Sequence, residues 1–237
     1  MRKNFVSLSI IAGLLIAGGA IVTVSNRVSV STVLKTHGAY NVKLRSKYTQ
    51  TATLTYFTNG STGLQRVLDV KLKLSVNDTF ARYDQTTFDG SQSYLLDGQN
   101  LIRSDAGIKQ EVKTLDATEA AAIKFQISTF GLLPMLKRIS DQRSQVSYVG
   151  RTAKGHRFQV KTSKGSWYFY ANSNHLIDRL EIENINITFG DYRTVQGMKL
   201  PFYQQVKKAD KLLYEIKFDT FEFNPVFAAD FFKSAAL

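Results

Sequence analysis

Downstream of Thr49 the chain alternates. Leu68, Val70, Leu72, Leu74 and Val76 fall on one side and Asp69, Lys71, Lys73 and Ser75 on the other, the period-two pattern of a strand with one buried and one wet face. Thr51, Thr53 and Thr55 alternate with Ala52, Leu54 and Tyr56 and run into Asn59-Gly60, a dipeptide suited to a tight hairpin. Asn77-Asp78, Asp89-Gly90 and Asp97-Gly98 separate further strands expected over 80–88, 91–96 and 99–103, and such short connections imply antiparallel neighbours. The same grammar resumes after residue 139. Strands are expected near 145–151, 156–162, 166–171, 176–184, 187–194, 199–207 and 211–223, punctuated by Lys154-Gly155, Lys164-Gly165, Asn172-Ser173-Asn174, Gln196-Gly197 and Ala209-Asp210. Pro201 and Pro225 fall at a strand start and a chain exit, where proline is tolerated. About eleven strands are more than a flat sheet carries, because twist accumulates and long edges aggregate. The pattern predicts an α+β domain, mainly β, in which a curved antiparallel sheet forms an incomplete β-barrel.

The alternation is broken once, from Asp116 to Ile139. Asp116 is a candidate N-cap with Glu119 three residues on, and Ala120, Ile123, Ile127 and Phe130 recur at helical spacing. Gly131 and Pro134 interrupt the period, while Leu132, Leu133, Met135, Leu136 and Ile139 keep the segment apolar. Two short helices with a bend are expected, inserted between two β-meanders as a lid or plug. Such an insert closes a core or encloses a greasy ligand. Phe125, Phe130, Leu133, Met135 and Leu136 are the candidates for a ligand-facing lid. A shorter helix is expected within 28–48, stopped by Gly38 after Lys35.

The N-terminus changes the setting. Arg2 and Lys3 precede an uncharged run from Phe5 to Val24 that ends in Ala17-Gly18-Gly19-Ala20, which reads as a secretory signal cleaved after Ala20 or as an uncleaved anchor. Residues 1–25 are therefore set apart as signal or anchor, and 26–237 as one exported domain. The chain has no cysteine, so an exported domain is held by its core rather than by disulfides. That fits a bacterial periplasm or cell envelope. Lys and Arg exceed Asp and Glu by 12 in the 237 residues, and removing Arg2 and Lys3 with the signal leaves +10. Such an excess favours anionic partners, including a membrane surface.

Site chemistry is sparse. His37, His156 and His175 are isolated and lack metal-ligand spacing, which reads as surface or turn histidines. No nucleophile elbow, phosphate-binding loop or zinc-protease motif is present. Glu181 and Glu183, separated by Ile182, read as the solvated side of an amphipathic strand rather than a catalytic pair. In the run Trp167-Tyr168-Phe169-Tyr170 the two parities face opposite ways, so one pair is core. Trp167 and Phe169 join the lid residues as candidate cavity walls. No catalytic residue, metal or cofactor is expected.

Residues 167–202 carry a resemblance. Trp167-Tyr168-Phe169-Tyr170, the turn at Asn172–Asn174, His175-Leu176-Ile177-Asp178-Arg179-Leu180-Glu181 and the stretch Phe189-Gly190-Asp191-Tyr192-Arg193-Thr194-Val195-Gln196-Gly197-Met198-Lys199-Leu200-Pro201-Phe202, with Phe221-Glu222-Phe223-Asn224 and Phe231 closing the chain, resemble the outer-membrane lipoprotein-sorting (LolA/LolB-like) superfamily. The resemblance implies a half-open antiparallel barrel with mid-chain helices over its mouth, and a role in carrying acyl chains or lipoproteins between membranes. Envelope-stress sensors are among its relatives. The expectation is a non-enzymatic carrier or sensor of acyl lipid or lipoprotein acyl chains. The alternative is an envelope protein-interaction or stress-sensing module whose cavity its own side chains fill. An exported hydrolase would need convergent polar groups that the sequence does not display, and export disfavours nucleic acid as a partner.

Overall fold

The computed structural model describes residues 27–39, 47–60, 63–77, 79–97, 100–105, 113–114, 117–162 and 165–232. The expected signal or anchor and the Asp116 cap lie outside these residues. The described strands are β1 (Tyr48–Gly60), β2 (Gly63–Val76), β3 (Phe80–Thr87), β4 (Gly90–Asp97), β5 (Asn100–Asp105), β6 (Lys113–Thr114), β7 (Val146–Thr152), β8 (Gly155–Thr162), β9 (Gly165–Ala171), β10 (Ile177–Ile182), β11 (Ile185–Val195), β12 (Met198–Lys208) and β13 (Lys211–Phe223). They form one sheet in the order β6-β5-β4-β3-β2-β1-β13-β12-β11-β10-β9-β8-β7, and every described pairing is antiparallel. Two meanders, one from each half of the chain, meet where β1 pairs β13. The sheet does not close, and its free edges are β6 and β7.

Alternation and bulges give the sheet its curvature. Ala52 opposes Leu72 and Phe218, and Leu54 opposes Val70 and Ile216, so the small and branched residues of β1 line the inner face beside larger ones. Between Thr51 and Ala52 the register with β13 shifts past Asp219. That extra residue resets the parity of β13, so that Phe218, Phe221 and Phe223 are all buried. Further irregularities at Tyr56/Phe57, Tyr148/Gly150, Ile177/Arg179 and Val206/Lys207 add the local twist that rolls a sheet into a trough. Pro201 sits inside β12, opposite Tyr192 of β11, and the pairing of β12 with β13 begins only at Tyr203. The missing amide proton therefore costs no ladder bond.

Helix α1 (Val30–Thr36) closes one end of the trough. Ser29 caps it by accepting from the Thr32 amide at 3.1 Å, and Val33 and Leu34 are fully buried. Gly38 follows with φ +72°, and a Cβ there would lie 2.4 Å from the carbonyl oxygen of Gly197 in the β11–β12 turn. Only glycine fits, because the helix end and the turn touch through backbone.

The outer face is not uniformly wet. Ser75, expected on the solvated side of β2, is 0% exposed. In register it lies between Thr49 and Arg82, and Arg82 donates to the Phe231 carbonyl at 3.2 Å. The C-terminal segment thus returns across this patch, with Phe227, Phe231 and Phe232 in mutual ring contact.

Candidate functional site

The insert consists of α2 (Ala117–Thr129) and α3 (Leu133–Asp141), joining edge strand β6 to edge strand β7 through a 3-10 turn at Arg143–Gln145. Ile123 and Ile127 of α2 are buried, as are Leu132, Leu133, Met135, Leu136 and Ile139 at and within α3. Pro134 stands in the first turn of α3, where its missing amide proton is no loss. The break falls at Gly131, which adopts φ +75°.

Two buried glutamines hold that break against the sheet. Gln50 of β1 donates to the Phe130 carbonyl at 2.6 Å. Gln204 of β12 accepts from the Gly131 amide at 2.9 Å and donates to the Thr129 carbonyl at 3.0 Å. Both are 0% exposed. β1 and β12 flank β13, so the pins sit over the centre of the sheet. They satisfy backbone groups that the ends of two helices leave unpaired in an apolar setting.

Six of the seven candidate cavity residues join one core. Phe130 (2% exposed) packs edge-on to Tyr83 of β3 at 5.6 Å and against Phe218 of β13 at 5.3 Å. Leu133, Met135 and Leu136 are 2%, 1% and 0% exposed, and Trp167 and Phe169 are 4% and 0%. Phe169 stacks on Phe158 at 4.7 Å, and the Arg138 guanidinium of α3 lies 5.4 Å from the Trp167 ring. The insert therefore bridges the two meanders, reaching β3 and β13 through Phe130 and β9 through α3. Phe125 is only partly buried and stands outside this cluster.

A set of tyrosines lines the inner face near α2. Tyr56 and Tyr214 are 5.8 Å apart, Tyr83 and Tyr94 6.4 Å. Burial pushes Tyr56, Tyr83 and Tyr214 above the usual phenol range, so they stay neutral hydroxyls. This corner of an otherwise apolar interior offers donors and acceptors to a polar group.

At its closed end the trough contains His37. It stands in the turn that ends α1, as its isolated sequence position suggests, but its ring is 0% exposed and not on the surface. Its Nε2 accepts from the Ile177 amide at 3.0 Å, and Nδ1–H donates to the Lys199 carbonyl at 2.8 Å. The ring thus ties the end of α1 to β10 and β12. Burial, and secondarily the nearby Lys199 charge, lower its pKa to about 4, although the bond to the Lys199 carbonyl acts the other way.

Taken as a whole, the architecture matches that of a LolA superfamily protein from Nitrosomonas europaea with a TM-score of 0.58, covering 86% of this chain and 98% of that one at 6% identity. The chain has a LolA-like fold. A DUF1329 family protein from Desulfovibrio piger matches with a TM-score of 0.47 and 7% identity over 85% of this chain and 94% of that one. No protein-family model matches the sequence, and neither does any curated protein.

The outer wall of this LolA-like sheet carries the remaining charged candidates. Glu181 is on β10, but Glu183 lies in the following turn with φ +54°, so the two do not share a strand face. Glu181 accepts from Tyr170 at 2.6 Å and from Lys154 at 3.1 Å. Burial acts to raise its pKa, and these bonds overcome it and hold the carboxyl below its ordinary value. Tyr168 is covered by Arg157 at 3.8 Å, which leaves the run 167–170 divided between core and a polar outer ladder. Among the described residues, no three His, Asp or Glu side chains converge to hold a metal, and no helix is long and apolar enough to cross a membrane.

Gln50, Gln204 and the tyrosine set carry no signal of their own in the sequence, and His37 reads there only as an isolated histidine. The parity of β1 puts Gln50 on the side of Ala52 and Leu54, a polar residue at a core position, and that was the available signal.

Proposed function

We propose that this is an exported, non-enzymatic protein of the cell envelope that binds acyl lipid, or the acyl chains of a lipoprotein, between the α2–α3 insert and the inner face of the half-barrel, as a carrier or sensor. The observation that carries this reading is the apolar trough of a LolA-like fold roofed by an insert that ties to the sheet at Gln50 and Gln204. Phe130, Leu133, Met135, Leu136, Trp167 and Phe169 are the contacts a chain would take over, with Phe125 at the margin. Burial of acyl methylenes contributes about 0.8 kcal/mol each. In the arrangement described the insert is closed on the sheet. The test is native mass spectrometry of protein purified gently from envelope fractions, followed by lipid extraction. A stoichiometric acyl lipid supports the reading, and Leu133→Asp should abolish uptake while leaving the β-sheet circular dichroism intact. Unchanged uptake in that variant removes the insert from the site.

One observation favours a second reading, a self-filled interaction or stress-sensing module. Phe130, Leu132, Leu133, Met135, Leu136 and Ile139 are each at most 2% exposed, so the insert already occupies the trough. A clean apo mass with no uptake of offered lipid, together with a defined protein partner in pull-downs, would select that module.

A further inference from the structure

Outside the trough, on the face of the sheet opposite the insert, a cleft of about 810 Å³ runs beneath the C-terminal segment. Its volume falls within the roughly 300–1,000 Å³ of small-ligand pockets. One wall is Phe80, Phe227 and Phe232, and Pro225, Val226, Ala228 and Ala229 continue it. The wall is braced: Phe232 stacks on Phe80 at 5.9 Å, Phe227 meets Phe231 at 4.9 Å, and Arg82 lies 4.9 Å from the Phe231 ring. The other end is polar, lined by Lys47, Asn77 and Asn224. Asn224 donates its backbone amide to the Lys47 carbonyl at 2.9 Å, which sets the two residues side by side. Asn77 spends its Oδ1 on the amides of Thr79 and Phe80, leaving its Nδ2 as a donor. Lys47 has no ion-pair partner among the described residues.

We propose that this cleft is a second binding site, for a single-chain anionic amphiphile whose carboxylate meets Lys47, Asn77 and Asn224 while its chain lies along Phe80, Phe227 and Phe232. An aromatic wall ending in an ammonium with no ion-pair partner among the described residues, beside side-chain amide donors, matches a ligand with an apolar tail and an anionic, acceptor-only head. The chain's net charge of +12 favours approach of an anion. The proposal does not depend on the insert opening, so it stands or falls apart from the acyl-binding reading above.

The experiment is calorimetric titration of the mature protein with decanoate below its micelle concentration, and with neutral methyl decanoate. Three variants accompany it: Lys47→Gln, Val226→Asp and Leu133→Asp. Val226 lines the cleft and is 99% exposed, so its substitution changes the site without touching the core. One decanoate per chain is expected. Lys47→Gln should weaken it about fivefold, the upper end for an exposed ion pair, and Val226→Asp should weaken it further by placing a like charge at the rim. Leu133→Asp should leave it unchanged. Decanoate binding that ignores both Lys47→Gln and Val226→Asp, or its absence in the wild type, overturns the proposal. Loss in Leu133→Asp alone assigns the ligand to the insert instead.

Discussion

Acid should loosen α1 at the closed end of the trough through His37. Both ring nitrogens are committed, Nδ1–H to the Lys199 carbonyl and Nε2 to the Ile177 amide. A second ring proton has no acceptor and must displace the Ile177 bond. The groups facing the ring are Tyr192, 5.8 Å away, the Lys199 charge, and beyond Tyr192 the Asp178 carboxyl; burial holds that carboxyl above its ordinary value. His37 titrates at about 4 in the folded protein against an ordinary 6.5. Between those values the unfolded chain binds the proton and the folded chain does not. The stability contributed by the neutral ring is therefore fully present above pH 6.5 and is lost as the pH falls toward 4. The difference of 2.5 between 6.5 and 4 corresponds, at about 1.4 kcal/mol per pH unit, to roughly 3 kcal/mol.

The assay is urea unfolding from pH 7.5 to 4.5 on the wild type and on His37→Gln, which keeps a donor and an acceptor but does not titrate. Carboxylates change in both proteins and cancel in the difference. The stability advantage of the wild type should shrink by roughly 2–3 kcal/mol over that range. Parallel curves would mean that the folded ring accepts its proton without strain, and the assignment of both nitrogens would be wrong.

Two further outcomes concern the insert. Gln204→Leu leaves the Gly131 amide and the Thr129 carbonyl unpaired in the core, at about 1–3 kcal/mol each, and hydrogen exchange should quicken over 117–141 while the β1 and β13 amides keep their protection. Gly131→Ala forces φ +75° on a residue whose Cβ would lie 3.1 Å from the Phe218 ring and 3.2 Å from Gln50 Oε1; a loss of about 1–3 kcal/mol in calorimetric stability is expected, and no loss would show that the break tolerates a different backbone.

The sheet was legible because its period is two and its turns are short. The expected strands 80–88, 156–162 and 211–223 follow from alternation and turn punctuation and fall on β3, β8 and β13, and the bent insert follows from Gly131 and Pro134 in an apolar run. The sequence does not announce where parity slips. Asp219 reads as one more polar position in β13, yet as a bulge it turns Phe218 and Phe221 to the same side. Nor does local pattern identify a polar residue that serves a distant backbone. His37 and Ile177, or Gln50 and Phe130, are separated by 140 and 80 positions, and only the meeting of β1 with β13 brings the two meanders around the insert. Ser75 was placed in water for the same reason, since its cover arrives from the end of the chain.

Opening the trough is an exchange of apolar contacts, and this bears on which ligands are competent. Lifting the insert exposes Phe130, Leu132, Leu133, Met135, Leu136 and Ile139, all fully or almost fully buried; at about 2 kcal/mol each this costs roughly 12 kcal/mol. An acyl chain of about sixteen carbons that takes their place on the inner face recovers roughly 13 kcal/mol at about 0.8 kcal/mol per methylene. The two nearly cancel, before the displaced Gln50 and Gln204 bonds are counted against the open state. A short chain then cannot hold the insert open, and a long chain does so only if the released lid face is covered again, by a second acyl chain or by a membrane. The proposed site should therefore discriminate steeply by chain length and number, preferring a multiply acylated ligand over a single fatty acid. Tight binding of a single eight-carbon chain under the insert would show that the closed core is far softer than its burial implies.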